Sequence, residues 1–103
     1  MHLYVIRSET FDLVTVGVVK DPAKRLSSLQ KDHPGDTLVL KHHQPVSENV
    51  RPGVFWQVFR AVLTGPPSRG NWFALEIGAA VALAVATVEF IEKVAVVEPS
   101  QTT

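Results

Sequence analysis

The sequence predicts an α+β domain, a small three-stranded antiparallel sheet with flanking helices in the order β-β-α-β-α-α. Three observations carry this. Two runs rich in β-formers, residues 2–7 and 13–19, stand close together across a short polar turn, which favours an antiparallel hairpin. Asp21-Pro22 follows the second run almost at once and opens a helical stretch. After residue 50 the apolar positions recur at helical spacing.

Taken in order, His2 to Arg7 (HLYVIR) is the first strand and Ser8-Glu9-Thr10 the turn. Leu13 to Val19 (LVTVGVV) is the second strand, where the isolated Gly17 marks a bulge or a close backbone approach. Asp21 caps the first helix, and Pro22 takes its first position, where a missing N–H costs nothing. Leu26 and Leu29 give that helix a short apolar stripe, and His33-Pro34-Gly35-Asp36 ends it. Thr37 to His42 (TLVLKH) is the third strand, followed by a polar connector from Gln44 to Val50. Pro52 opens a second helix running to about Thr64, with Phe55, Val58, Phe59 and Val62 on one side and Gln57 and Arg60 opposite. Gly65-Pro66-Pro67-Ser68-Arg69-Gly70 is a loop. The last helix begins after Phe73, passes Phe90 and ends near Val96. Residues 1–97 thus form one domain and residues 98–103 a flexible C-terminal tail.

A chain of 103 residues suits one core rather than separate cofactor and substrate domains. With 46% hydrophobic and 19% charged residues the composition excludes a disordered chain. The absence of cysteine removes disulfide scaffolds, cysteine-based zinc sites and thiol nucleophiles together. The start MHLYVIRSE lacks the basic and apolar regions of a secretory signal. The uncharged run Ile77 to Val88 is far shorter than the roughly 20 residues needed to span a bilayer. A cytoplasmic protein with no membrane partner is expected. Net charge is zero, but residues 1–70 carry nine Lys/Arg against six Asp/Glu, and residues 71–103 one against four. The weakly basic front is compatible with an anionic partner.

No glycine-rich phosphate loop, HExxH, GxSxG or EF-hand loop is present. The residues that stand out are Tyr4, Gly17, Arg25 and the triplet Asn71-Trp72-Phe73. Leu3-Tyr4-Val5-Ile6, then Val14-Thr15-Val16-Gly17-Val18, then Asp21-Pro22-Ala23-Lys24-Arg25-Leu26-Ser27-Ser28-Leu29-Gln30 resembles the GIY-YIG nuclease superfamily. Within it the pattern is most similar to the short phage-type and bacterial branch, over roughly residues 3 to 75. That resemblance implies a GIY-YIG-like fold. It also implies that Tyr4 acts as base or positions the nucleophile, and that Arg25 neutralises charge at a scissile phosphate. Such chemistry suits arginine, whose planar fork meets two phosphate oxygens at once.

The chain departs from the family pattern elsewhere. Thr15 stands at the second Tyr or Lys position, Pro52 at that of the metal-holding Glu, Trp56 at that of the His, and Asn71 at the Glu of the closing G-E-W-F. The resemblance therefore implies a nucleic-acid-associated domain that binds phosphate or DNA through Arg25 with Lys20 and Lys24, its hydrolysis weak or lost. A divalent Mg²⁺ or Mn²⁺ cofactor would enter only with activity, through a relocated ligand such as Glu48 or Glu76.

Each of these residues also has a structural reading. Tyr4 suits a half-buried strand position, and Arg25 a solvated helix face beside Asp21 four residues back. Lysines such as Lys20 and Lys24 are commonplace beside a helix start. His42 and His43 are adjacent on a strand and point to opposite faces, so they do not share one metal ion. Phe55, Trp56 and Phe59 read as core, and Trp72-Phe73 as a plug that seats the last helix. The alternative function is a catalytically inactive, phage-type interaction protein. It would bind a protein partner or self-associate as a homodimer through Ile77, Val81, Val85 and Val88 of the last helix.

Overall fold

The computed structural model describes residues 1–63 and 71–101, with side chains described as far as Val94 in the last helix. Its elements are β1 (His2–Ser8), β2 (Leu13–Val19), α1 (Pro22–Asp32), β3 (Leu38–Pro45), α2 (Pro52–Val62) and α3 (Ile77–Gln101). The order β-β-α-β-α-α and the antiparallel sheet, with spatial order β2-β1-β3, are those the sequence leads one to expect. The Gly65–Gly70 loop lies outside the described residues. α3 starts at Ile77 and is helical to Gln101, so the tail expected from residue 98 begins within its last turn. Residues 102 and 103 lie outside the described residues.

β1 is the central strand because it is apolar on both faces. Leu3, Tyr4, Val5 and Ile6 are all buried, and such a continuous run fits a strand covered on either side. Leu3 and Val5 join Val14, Val16 and Val18 of β2 against Phe55 and Phe59 of α2, Ala80, Ala84, Val88 and Ile91 of α3, and Phe73. On the opposite face Tyr4 and Ile6 meet Leu29 of α1 and Leu38 of β3, with Leu26, Leu40 and Trp72 at the margin. The result is three layers, with α1 over one face of the sheet and α2 and α3 over the other.

The β1–β2 hairpin closes where the Asp12 amide donates to the Ser8 carbonyl at 2.9 Å, with Asp12 at φ +55°. Aspartate is among the few side chains that tolerate this conformation. β3 pairs with β1 through one irregularity. Leu40 lies opposite Ile6 and His42 opposite Val5, so Lys41 is the extra residue of a bulge.

α1 begins as its sequence dictates. The Asp21 carboxylate accepts the Lys24 amide at 3.2 Å, with Pro22 first in the helix. Its far end is pinned by one side chain. Gln30 donates to the carbonyls of His33 and Asp36 and accepts the Leu38 amide, which fixes the turn into β3.

The apolar surplus of α3 falls elsewhere than expected. Val88 is buried, and Ile77, Val81 and Val85 pack partly buried against the core. The exposed large apolar side chains are instead Phe90 and Val94 on α3, Val54 and Val62 on α2, and Phe11 in the hairpin turn. The α3 positions 80, 84, 88 and 91 follow the helical repeat and define its inward line, leaving Phe90 on the outside.

Candidate functional site

Tyr4 and Gly17 are register partners on adjacent strands. The Tyr4 ring lies across Gly17 so closely that a Cβ there would stand 2.6 Å from the hydroxyl oxygen and 2.8 Å from Cζ. Gly17 therefore supplies room, not an unusual backbone angle. Of the two readings its position allowed, close approach is the one found, and the β1–β2 register runs through it without a break. The arrangement carries the phenol toward β2, the outer strand on that side.

Arg25 comes down on the same hydroxyl from α1, one turn into the helix. Its Nε donates to the Tyr4 oxygen at 3.4 Å, a long hydrogen bond that orients more than it stabilises. Among the described residues Arg25 forms no ion pair, with Asp21 or any other carboxylate. Its guanidinium is therefore held by a phenol and not by a described ion pair. Lys20 and Lys24 flank it, and with Val19, Asp21 and Ser28 they line a shallow depression of about 390 Å³. Tyr4, Arg25, Lys20 and Lys24 thus come together at the start of α1. Asp21 is the one acid in the lining, and one of its carboxylate oxygens accepts the Lys24 amide.

The positions where the chain departs from a nuclease pattern have structural work. The Thr15 hydroxyl donates to the Asn71 carbonyl at 2.9 Å, tying β2 to the segment that enters α3. Phe73 and Val14 exchange both backbone hydrogen bonds, at 2.8 and 2.9 Å. Phe73 enters one core and Trp72 borders the other, where it meets the His33 ring edge-on at 5.6 Å. Trp72-Phe73 is therefore the expected plug. Pro52 is exposed at the start of α2, and Trp56 packs among Phe55, Phe59 and Phe73.

Neither relocated carboxylate joins the Tyr4–Arg25 pair. Glu76 precedes α3 and lines a separate depression with Arg7 and Asp12, at the hairpin-turn end of the sheet. Glu48 is exposed in the connector after β3. Among the described residues no group of three or more His, Asp or Glu side chains is placed to hold a metal ion. His42 and His43 diverge as expected. His42 pairs in register with Val5 and bonds Gln44 at 2.8 Å, while His43 pairs with Tyr4, on the other face of the sheet from His42.

One grouping escaped the sequence. Arg60 of α2 donates to the Asn71 side-chain oxygen at 2.8 Å and lies over the Trp56 ring, 5.4 Å from its centroid. The i,i+4 spacing of Trp56 and Arg60 on a helix was a signal for the stacking half of it. Asn71, eleven residues on, gave none.

Chemically, the hollow offers one guanidinium, held from beneath by the buried Tyr4 phenol, and two ammonium groups, with the Asp21 carboxylate at its margin. That set suits an oxyanion such as phosphate. The chain matches no family model, no curated protein and no solved structure. Among the described residues no helix is long and apolar enough to cross a membrane.

Proposed function

We propose that this protein is a nucleic-acid-associated domain of GIY-YIG endonuclease type that binds the phosphate backbone of DNA through Arg25, with hydrolysis weak or lost. The observation that carries the proposal is Arg25, unpaired with any described carboxylate and aligned on the Tyr4 hydroxyl above Gly17, with Lys20 and Lys24 beside it. Tyr4 positions the guanidinium, and the lysines extend the positive surface. Thr15, Pro52 and Asn71, standing where the resembled enzymes carry a second Tyr or Lys and two glutamates, favour binding over cleavage.

Plasmid nicking with and without Mg²⁺ or Mn²⁺, run beside gel retardation at low and moderate salt, tests this. Salt-sensitive retardation without nicking is the expected result. Metal-dependent nicking abolished by Arg25→Ala would replace it with an active nuclease. The absence of both nicking and retardation would refute the DNA reading.

A second reading has its own observation. Val58 and Val62 of α2 and Leu83, Ala86, Thr87 and Phe90 of α3 line an apolar groove of about 200 Å³, with Phe90 57% exposed. A protein partner or a second copy of the chain would bind here.

A further inference from the structure

We propose that Arg60, braced by Trp56 and Asn71, is a second phosphate ligand for DNA, set apart from Arg25 on the other side of β2. This inference rests on the DNA-binding reading above and adds to it a contact on the opposite layer of the fold.

An exposed arginine ordinarily samples many rotamers, and ordering it on binding opposes association. Arg60 has two contacts that restrict it. Its guanidinium rests on the Trp56 face, and one Nη donates to the Asn71 side-chain oxygen at 2.8 Å. Both braces are fixed in turn. Trp56 stacks on Phe73 with centroids 5.9 Å apart, and the Asn71 backbone accepts the Thr15 hydroxyl at 2.9 Å. Neither brace is charged, and among the described residues no carboxylate pairs with Arg60, which leaves most of its N–H donors available. Arg7 makes the contrast: it is clamped to Asp12 at 2.7 Å and reaches Glu9 at 4.0 Å, and its charge is spent inside the protein.

The placement relates Arg60 to the first site. Thr15, which anchors Asn71, is two residues along β2 from Gly17, over which Tyr4 and Arg25 meet. Two strand residues span about 7 Å. Arg25 reaches this stretch of β2 from the α1 layer and Arg60 from the α2 layer. A DNA backbone that engages both would have to pass over the β2 edge and the residues 71–73 paired along it. A guanidinium braced by neutral groups keeps its planar fork free for a phosphodiester's oxygens.

The test is fluorescence anisotropy of a short labelled DNA duplex across a NaCl series, with wild type, Arg25→Ala, Arg60→Ala and Arg7→Ala, each checked by circular dichroism. Arg60→Ala should weaken binding and reduce the slope of log affinity against log salt by about 0.9, the loss of one neutralised phosphate. Arg7→Ala should leave the slope unchanged. If Arg25→Ala weakens binding while Arg60→Ala matches wild type, the second ligand is refuted and the first site stands. If neither variant weakens binding, the DNA-binding reading itself fails.

Discussion

Replacing Gly17 by alanine adds one carbon, and the geometry states where it goes. It would lie 2.6 Å from the Tyr4 hydroxyl oxygen, 2.8 Å from Cζ and 2.9 Å from Cε2. Ordinary carbon contacts are about 3.5–4.0 Å. The obstacle is the outer end of a ring whose residue is 5% exposed and packed with Ile6, Leu29 and Leu38, so the ring must tilt against its neighbours. Overpacking of this kind destabilises by about 1–3 kcal/mol. Removing a glycine from a strand returns about 0.5–1 kcal/mol through reduced chain entropy. The net loss is therefore about 0–2.5 kcal/mol, with a midpoint of about 1 kcal/mol, and melting falls by about 4–8 °C per kcal/mol. Thermal denaturation followed by circular dichroism measures it. The same change in a Tyr4→Ala background, where the ring is gone, should be neutral or stabilising. Equal effects in the two backgrounds, or a higher melting temperature for Gly17→Ala alone, would show that the Tyr4–Gly17 approach is not what excludes a side chain there.

Other consequences follow from the core, the hairpin turn and the α2–α3 groove. Phe59 is fully buried and stacked on Phe55 at 5.6 Å, so Phe59→Ala should remove about 3–5 kcal/mol in urea unfolding; a loss near 1 would contradict its place in the core. Burial pushes the Asp36 carboxyl up, but hydrogen bonds from Ser8, Thr10 and Thr37 outweigh this and hold it below the ordinary carboxylate value. Its stabilising contribution is therefore complete above that value and is lost as pH falls through the lower, folded-state value. Asp36→Asn should flatten the acid limb of a stability–pH curve, and an unchanged limb would refute the assignment. Phe90→Ser should change stability by no more than about 0.5 kcal/mol, since the ring is mostly solvent-facing. If sedimentation shows wild-type dimers that this variant abolishes, the groove is an interface between copies.

What the sequence made legible was local. Asp21-Pro22 fixed the start of α1, the β-former run from His2 to Arg7 marked the first strand, and the Phe55–Phe59 repeat marked the inner side of α2. Register was not legible, because the bulge at Lys41 depends on how β3 meets a strand some forty residues earlier. The inward line of α3 was also hidden. A helix apolar nearly all round offers several equivalent stripes, and only packing against β1 and β2 selected Ala80, Ala84 and Val88. At the site, Tyr4, Gly17 and Arg25 were visible as isolated residues, and their convergence required the hairpin and α1 together. Arg60 looked like an ordinary solvated cation, since its partner Asn71 is brought to it by Thr15 and Phe73 through tertiary contacts.

The most direct measurement is the affinity of wild type and Arg25→Ala for a short DNA duplex at low and moderate salt. Arg25, aligned on Tyr4 and unpaired with any described carboxylate, should make wild-type affinity fall steeply with salt. The variant should bind more weakly to every sequence tried, with a slope lower by about 0.9. Equal affinity and equal slope for the two proteins would contradict a phosphate site at Arg25.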